Sequence, residues 1–83
     1  MASVERELQL LGTSGCHLCE LAEEVLAGLL AEGLPWQIEL VDIAEHDDLL
    51  ERYATAIPVL LAEDLEQPLC WPFSREQVLQ WLA

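Results

Sequence analysis

Two cysteines three positions apart constrain this chain more than any other feature. Cys16 and Cys19 lie in the stretch GTSGCHLC, residues 12 to 19, where a loop of small residues leads into an apolar pattern of helical spacing. Residues three apart on a helix lie about 5–6 Å from each other, which suits the Cα separation of a disulfide. The pair can be a redox couple, half of a metal site, or two small apolar residues at a helix start.

The predicted position at a helix start favours redox chemistry. Backbone N–H groups without partners and the positive end of the helix dipole favour a thiolate at Cys16, and the thiolate is the nucleophilic form. Cys19, one turn further on, would be sheltered and would resolve a mixed disulfide. The helix terminus is worth up to about 2 kcal/mol and the nearby Glu20 charge costs about 0.7 kcal/mol, so we expect a modestly acidic thiol and a reducing couple.

Composition and charge predict one small globular domain over residues 1–83. The chain is 53% hydrophobic and 23% charged, which is typical of a folded protein. Sixteen acidic residues stand against three arginines and no lysine, for a formal net charge of -13. A charge of that sign repels phosphate backbones and anionic lipids, so we expect neither nucleic acid nor a membrane as a partner.

The lack of a long apolar run and of a signal-peptide pattern predicts a cytoplasmic protein, which we expect to be a monomer. No apolar run approaches the roughly 20 residues that span a bilayer. The segment from Met1 to Glu7 carries acidic residues where a signal peptide would be basic and then apolar. Disulfides in the cytoplasm are usually transient and catalytic, which suits a redox role for the pair.

Hydrophobic periodicity and turn residues predict the element order βαβαββα. The predicted elements are a strand over 7–11, a helix from the cysteine pair to Gly33, a strand over 36–43, a helix over 46–53, a strand over 59–61, an edge strand over 68–71 and a helix from Ser74 to Leu82. The first βαβ unit implies parallel strands with a right-handed crossover, and the last two strands should be antiparallel. Ser74 and Gln77 form a capping-box pattern. We therefore expect an α/β domain with a four-stranded mixed sheet flanked by helices.

This arrangement resembles the thioredoxin fold and, more narrowly, the glutaredoxin-like proteins with a C-x-x-C motif. The resemblance rests on Cys16 and Cys19 after the first strand, on the strand ending LVDI, and on Ile57-Pro58 ahead of the last strand pair. It covers nearly the whole chain. It implies that Cys16 attacks, that Cys19 resolves, and that Pro58 is a cis-proline beside the pair. The backbone of Ile57 would pair with an extended substrate strand.

Residues that hold glutathione in typical glutaredoxins are not found in this chain. Those proteins carry Pro-Tyr between the cysteines, a lysine just before them, and Gly-Gly-Asp after the fourth strand. Here the corresponding stretches are His17-Leu18, Ser14-Gly15 and WPFS at 71–74, and Arg52 is the only nearby cation. We therefore expect protein disulfides rather than glutathione mixed disulfides as substrates, no cofactor beyond the redox-active disulfide, and a thioredoxin-like reducing system as partner.

Two alternatives to a redox couple stay open at this point. Structural zinc sites use four Cys or His ligands, commonly as two pairs, and beyond Cys16 and Cys19 the chain offers His17, His46 and Cys70 without a second pair. We therefore expect no metal ion. The other alternative is a redox-silent thioredoxin-fold module that binds a protein partner through its acidic surface.

Three further residues carry predictions about the site. His17, when protonated, could stabilise the thiolate; otherwise it is an exposed residue without a role. Cys70 is predicted to be buried in the fourth strand as a small apolar residue, and the alternative is a regulatory thiol exposed at the sheet edge. The tryptophans are expected to pack against the core, and Trp71 should also border the substrate groove.

Overall fold

The computed structural model describes residues 6–83 and has the predicted order of strands and helices. The elements are β1 (Arg6–Gly12), α1 (His17–Ala31), β2 (Trp36–Asp42), a short 3-10 turn (Ile43–Glu45), α2 (Asp47–Tyr53), β3 (Val59–Ala62), β4 (Leu69–Cys70) and α3 (Arg75–Leu82). The segment used above to argue against a signal peptide includes Met1 to Glu5, and these five residues lie outside the described residues. Across residues 6–83, no helix combines the length and apolar character needed to cross a bilayer.

The four strands form one mixed sheet in the order β2-β1-β3-β4. β1 and β2 are parallel, with Arg6 opposite Trp36 and Gly12 opposite Asp42, and the register is continuous over seven residue pairs. β3 is antiparallel to both β1 and β4. The sheet therefore combines the parallel βαβ unit and the antiparallel hairpin that the sequence predicts.

Helix α1 begins at the cysteine pair because Cys16 serves as its N-cap. The Cys16 backbone is extended, with φ -92° and ψ 105°, while its side chain accepts a hydrogen bond from the helix. The helix ends before Gly33, whose φ of +96° is a left-handed conformation that glycine adopts without steric cost. The predicted helix and its C-terminal stop are both confirmed.

The main core lies between the sheet and the helices α1 and α3. It buries alternate residues of β1 and β3 together with one stripe of each helix, as strand and helix periodicity require. Its buried members are Leu8, Leu10, Ala22, Leu26, Leu29, Leu60, Ala62, Phe73, Val78 and Leu82. The tryptophans at 36, 71 and 81 are partly buried against this core, in agreement with the prediction.

A smaller core lies on the other face of the sheet, where α2 packs. Leu11, Ile43 and Val59 are completely buried there. Helix α2 has seven residues, and its first turn carries Asp47 and Asp48, which interact favourably with the positive end of the helix dipole. Leu11 is next to last in β1 and Val59 is the first residue of β3, so this second core lies at the carboxyl end of β1. The loop to the cysteines leaves from the same end.

Side-chain contacts cap helix α3 and fix it to the end of α1 and to the start of β1. The predicted capping box is present: the Ser74 hydroxyl accepts from the Gln77 N–H at 3.2 Å, and the Ser74 N–H donates to the Gln77 side chain at 2.8 Å. Arg75 forms an ion pair with Glu32 at the end of α1, and this hydrogen bond and charge raise the pKa of Arg75 above its ordinary value. Arg6 donates to the backbone carbonyl of Leu82 at 2.9 Å.

The structure differs from the sequence-based prediction at three points. Ile43 belongs to the 3-10 turn rather than to β2, because the Asp42 side chain accepts from the Ala44 N–H at 3.0 Å and ends the strand. His46 caps α2 instead of lying inside it. The prediction that Cys70 is buried is wrong: β4 has only two residues at the sheet edge, and the Cys70 thiol is exposed and free.

Candidate active site

Cys16 and Cys19 form a disulfide at the first turn of α1. Their Cα atoms are 5.2 Å apart, within the range that an unstrained disulfide tolerates. The Cys16 sulfur accepts a hydrogen bond from the Cys19 backbone N–H at 3.2 Å, and the Cys16 carbonyl accepts from the Glu20 N–H at 3.3 Å. The first sulfur is therefore placed where helix N–H groups can stabilise negative charge on it.

The two sulfur-bearing residues differ in their access to solvent. Cys16 is half-buried, whereas Cys19 is 7% exposed and belongs to the apolar interior. Gly12 at the end of β1 makes room for the inner residue, because a β-carbon built at position 12 would come 2.8 Å from the Cys19 Sγ. An incoming group can thus reach Cys16 first, while Cys19 is held directly behind it.

One flank of the disulfide is formed by the segment that precedes β3. Leu11 is paired with Val59, so the next residues outward, Gly12 and Pro58, lie beside each other at the end of the sheet. The Ile57–Pro58 peptide bond is cis and Pro58 is completely buried. The Pro58 carbonyl accepts from the Trp71 N–H at 3.1 Å. The structure therefore brings together Ile57, Pro58 and Trp71, three of the residues predicted for the substrate groove.

The backbone N–H of Ile57 is already hydrogen-bonded within the protein. Its N–H donates to the Tyr53 carbonyl at 3.2 Å, at the end of α2. A substrate strand at this position would therefore find the Ile57 carbonyl as acceptor, while the N–H is already engaged. The sequence could not show this, because the bond depends on how α2 ends.

Trp71 closes this flank from the β4 side. Its ring packs edge-on against Phe73, with the ring centroids 5.0 Å apart and the planes at 77°. Its side chain is half-buried, so one part of the ring packs on the main core and another part faces solvent. The Trp71–Pro72 bond is also cis, a feature that the sequence-based prediction did not include.

His17 is highly exposed and lies closest to an acidic partner on its own helix. Its Nδ1 is 3.5 Å from Glu20 Oε2, and the side chains of the two residues are 78% and 72% exposed. The neighbouring Leu18 is 46% exposed. The outer surface around the disulfide therefore combines a titratable imidazole, a carboxylate and an apolar side chain.

The second flank of the disulfide is a cleft between α1 and the end of β2, which the sequence-based prediction missed. It has a volume of about 180 Å³, and its lining residues are Leu10, Gly12, Thr13, Cys19, Glu23, Leu40, Val41 and Asp42. Leu40 is 62% exposed there. The sequence signal for this cleft was the apolar pair Leu40-Val41 between Glu39 and Asp42. The exposure of Leu40 could not be predicted, because it depends on how far α1 covers the sheet.

Within residues 6–83, no three or more His, Cys, Asp or Glu side chains are grouped so that they could hold a metal ion. His17 and His46 are both exposed, the latter at the start of α2.

The sheet order, the three helices and the Cys16–Cys19 pair define the class of protein. A four-stranded mixed sheet with β2-β1-β3-β4 order, with a C-x-x-C pair at the start of its first helix, is a thioredoxin-like fold of the redox type. The chain belongs to the family described as "Glutaredoxin-like domain (DUF836)", whose model matches residues 7–83. No curated protein matches the chain.

Solved structures of other proteins have the same fold. Protein XcR50 from X. campestris, solved by X-ray methods, is 32% identical with a TM-score of 0.75, and the match covers 90% of this chain and 93% of that one. Protein Ne2328 from Nitrosomonas europaea is 28% identical with a TM-score of 0.77, covering 94% and 92%. The N-terminal domain of SasA from Synechococcus elongatus is 18% identical with a TM-score of 0.63, covering 99% and 87%, and shows likeness of fold alone.

Proposed function

We propose that this protein is a thiol–disulfide oxidoreductase that reduces disulfides in other proteins through the Cys16/Cys19 couple. The observation that supports this most directly is the unequal placement of the two cysteines at a helix N-terminus. Cys16 is half-buried and accepts a helix N–H, whereas Cys19 is 7% exposed and lies directly behind it. A nucleophile needs access and stabilisation of its anion, while a resolving thiol needs proximity and shelter.

The first step is the attack of the reduced Cys16 thiolate on a substrate disulfide R–S–S–R′. A bond forms between the Cys16 sulfur and the R sulfur, and the bond between the two substrate sulfurs breaks. The R′ thiolate leaves and takes a proton from solvent. The N–H groups of the first turn of α1 have no carbonyl partner within the helix and favour the attacking thiolate; the Cys19 N–H, 3.2 Å from the Cys16 sulfur, is one of them.

The second step releases the remaining half of the substrate. Cys19 loses its proton and attacks the Cys16 sulfur, so that the Cys16–Cys19 disulfide forms and the R thiolate leaves and is protonated. The substrate has gained two electrons and two protons, and the protein has lost them. A Cα separation of 5.2 Å allows this ring closure without movement of the helix.

The substrate segment is proposed to lie along the Pro58 flank in an extended conformation. The Ile57 carbonyl would accept a hydrogen bond from its backbone, and the exposed part of Trp71 would contact its side chains. Such strand pairing takes affinity from main-chain bonds and tolerates many sequences, which suits a protein disulfide. His17 would contact the substrate from the α1 side, because its side chain is 78% exposed next to Cys16.

Glutathione is a weaker candidate as substrate because the residues around the disulfide carry little positive charge. Residues 12–20 contain no lysine or arginine, and Arg6 and Arg75 are engaged with Asp64 and Glu32. Arg52 is exposed in the last turn of α2 and is the cation that remains for a carboxylate of the tripeptide. Regeneration of the dithiol by a thioredoxin-like reducing system, and a cytoplasmic location for a monomeric protein, are part of the same proposal.

Equilibration with glutathione buffers of defined ratio tests the proposal. After acid quenching and alkylation, mass spectrometry counts free thiols and glutathione adducts, and reduction of insulin disulfides in the presence of dithiothreitol measures activity. We expect a single dithiol-to-disulfide transition of the Cys16/Cys19 pair, with little glutathione adduct on either of these two cysteines. Cys16→Ser should abolish insulin reduction, and Cys19→Ser should accumulate a mixed disulfide on Cys16.

The exposed third thiol provides the matched control. Cys70→Ser should leave both the transition and insulin reduction unchanged. Full activity of Cys16→Ser would contradict the proposal, whereas an adduct on the exposed Cys70 is ordinary exchange with the buffer and should be removed by Cys70→Ser. If the wild-type protein has no activity, a redox-silent binding module is favoured instead. In that case Cys16→Ser should leave the affinity for a protein partner unchanged.

A further inference from the structure

Strand β2 lies at one edge of the sheet. Among residues 6–83 it pairs with β1 alone, so the backbone groups on its other side are free for another strand. Natural edge strands are commonly blocked by lysine, proline, a bulge or short length. The seven residues WQIELVD contain neither lysine nor proline, and their constant register with β1 leaves no bulge. This edge is therefore suited to accept an additional strand.

The two faces of β2 differ in character. Leu40 is paired with Leu10, so it lies on the α1 side of the sheet, as do Trp36 and Ile38 by the alternation of a strand. Glu39 and Gln37 lie on the opposite face, where the Gln9 amide donates to the Glu39 carboxylate at 3.1 Å. A strand added here would meet an apolar row on one face and an acidic row on the other.

Leu40 marks the position where the apolar row is left uncovered. It is 62% exposed, the most exposed of the large apolar side chains in the described part of the chain. It borders the cleft of about 180 Å³ that reaches Cys19 and that also has Glu23 and Asp42 in its lining. An apolar side chain on an added strand would lie about 5 Å from Leu40 and cover it.

The carboxylates around the edge of β2 favour a positively charged binding partner. The cleft contains two carboxylates and no cationic side chain, and Glu39 adds a third carboxylate on the other face. We propose that the edge of β2 and its cleft form a docking site, the β2-edge site, for an extended segment of a partner protein in which apolar and basic side chains alternate. The apolar side chains cover Leu40 and the basic ones pair with Glu39 on the opposite face, while the Asp42 and Glu23 carboxylates of the cleft add to the negative charge that attracts a basic segment.

A second copy of this chain is disfavoured as the occupant. An antiparallel pair of β2 strands centred on Glu39 would place the Glu39 carboxylates of both copies opposite each other, and each copy carries a formal charge of -13. Like charges on paired strands are destabilising, whereas a cationic partner is attracted over long distances. Negative charge thus protects the edge against self-pairing and leaves it open to a basic strand.

The β2-edge site is separate from the Pro58 flank. β2 lies on one side of β1 and β3 on the other, so the two sites are two strand spacings apart, about 10 Å. A partner bound at β2 would not occupy the carbonyl of Ile57. Binding at this site does not require exchange of the disulfide, so it can be measured independently of the proposed oxidoreductase activity.

A titration of the oxidised protein with short capped peptides that lack cysteine tests the inference. The probe alternates lysine with valine, and the control peptide alternates glutamate with valine. Two-dimensional amide NMR spectra report the binding position and the dissociation constant. We expect the basic peptide to shift the amides of Leu40, Val41 and Asp42 and those of Cys19 and Glu23, and the acidic peptide to shift none of them.

Matched variants separate the apolar from the charged contribution. Leu40→Gln should weaken binding of the basic peptide about tenfold, while Leu50→Gln, at a leucine that is 39% exposed on α2, should change it less than about twofold. Glu39→Gln should weaken it roughly threefold and Glu51→Gln should not. Unchanged amide spectra away from the substitution establish that each variant is folded.

Several results would overturn the β2-edge site. They are equal binding of the acidic and basic peptides, no binding of either, shifts that centre on Ile57 and Trp71, or an equal loss with Leu50→Gln. Concentration-dependent self-association that Leu40→Gln removes would identify a second copy as the occupant instead. Insulin reduction should be unaffected by Glu39→Gln, which lies on the face of β2 away from the disulfide, so failure of the docking site and failure of the oxidoreductase proposal give different results.

Discussion

Gly12 and Cys19 lie so close together that no side chain fits between them. A β-carbon at position 12 would be 2.8 Å from the Cys19 Sγ and 3.3 Å from its β-carbon. Separations of 2.8 Å are far inside van der Waals contact, and interiors packed at this density respond to a single added methyl group. The end of β1 therefore sets the depth at which the inner cysteine of the couple sits.

Gly12→Ala should destabilise the oxidised protein by about 1–3 kcal/mol, since the added methyl group displaces the Cys19 sulfur or the strand. The loss should be smaller in the reduced protein, because the Cys19 side chain is then free of its bond to Cys16 and can turn away. Urea unfolding followed by tryptophan fluorescence measures both states. Equal stability of wild type and variant in the oxidised state would show that the strand yields without cost.

Gly28→Ala is the matched glycine substitution and should have the opposite sign. Gly28 lies in the middle of α1, is exposed, and has nothing within 4 Å of a built β-carbon. Glycine is about 0.8–1.0 kcal/mol less favourable than alanine inside a helix, so we expect a gain of that order in the free energy of unfolding. The same urea experiment measures it, and a loss of stability would indicate an unrecognised contact on this face of α1.

Cys70 should be the single rapidly reactive thiol of the oxidised native protein. Its side chain is exposed at the β4 edge, while Cys16 and Cys19 are bonded to each other. Titration with Ellman's reagent without denaturant should therefore give one thiol per chain, and Cys70→Ser should give none. A reaction that requires denaturant would restore the expectation of a buried Cys70.

Glu20→Gln should lower the pKa of the Cys16 thiol in the reduced protein. The Glu20 carboxylate lies in the first turn of α1 and opposes the formation of a thiolate there, so its removal favours the anion. The rate of alkylation by iodoacetamide against pH, in a Cys70→Ser background, gives the pKa. Glu24→Gln, exposed and a further turn along the helix, should change it less. An upward change on Glu20→Gln would show that the carboxylate acts mainly through His17, which lies 3.5 Å from it.

Ser74→Ala should cost about 1 kcal/mol of stability, because it removes the acceptor for the Gln77 N–H at 3.2 Å and so uncaps α3. Chemical denaturation measures this loss. Thr at position 74 should recover most of it, since threonine is also a good N-cap. No recovery with Ser74→Thr would mean that the loss comes from packing rather than from the cap.

The elements with local signals were predicted well from the sequence. Helix α1 has a regular apolar repeat and a glycine stop at Gly33, and α3 has its Ser74 capping box, so both were located within a residue or two. The βαβ unit and the antiparallel hairpin followed from connection length. The short segment around Ile43 was misassigned because an apolar residue after a strand looks like its continuation. The side chain of Asp42, which ends the strand, acts through a contact that periodicity does not reveal.

Sequence alone was enough to determine the element order, the sheet of mixed direction and the position of the cysteine couple at a helix start, because these depend on residues near one another along the chain. Only the tertiary structure decided the exposure of Cys70, the bare Leu40 beside the cleft, and the engagement of the Ile57 N–H by Tyr53. Each of these depends on how far a helix or strand from elsewhere in the chain extends over its neighbour. Burial and hydrogen bonding at a sheet edge are set by those lengths, which no local pattern encodes.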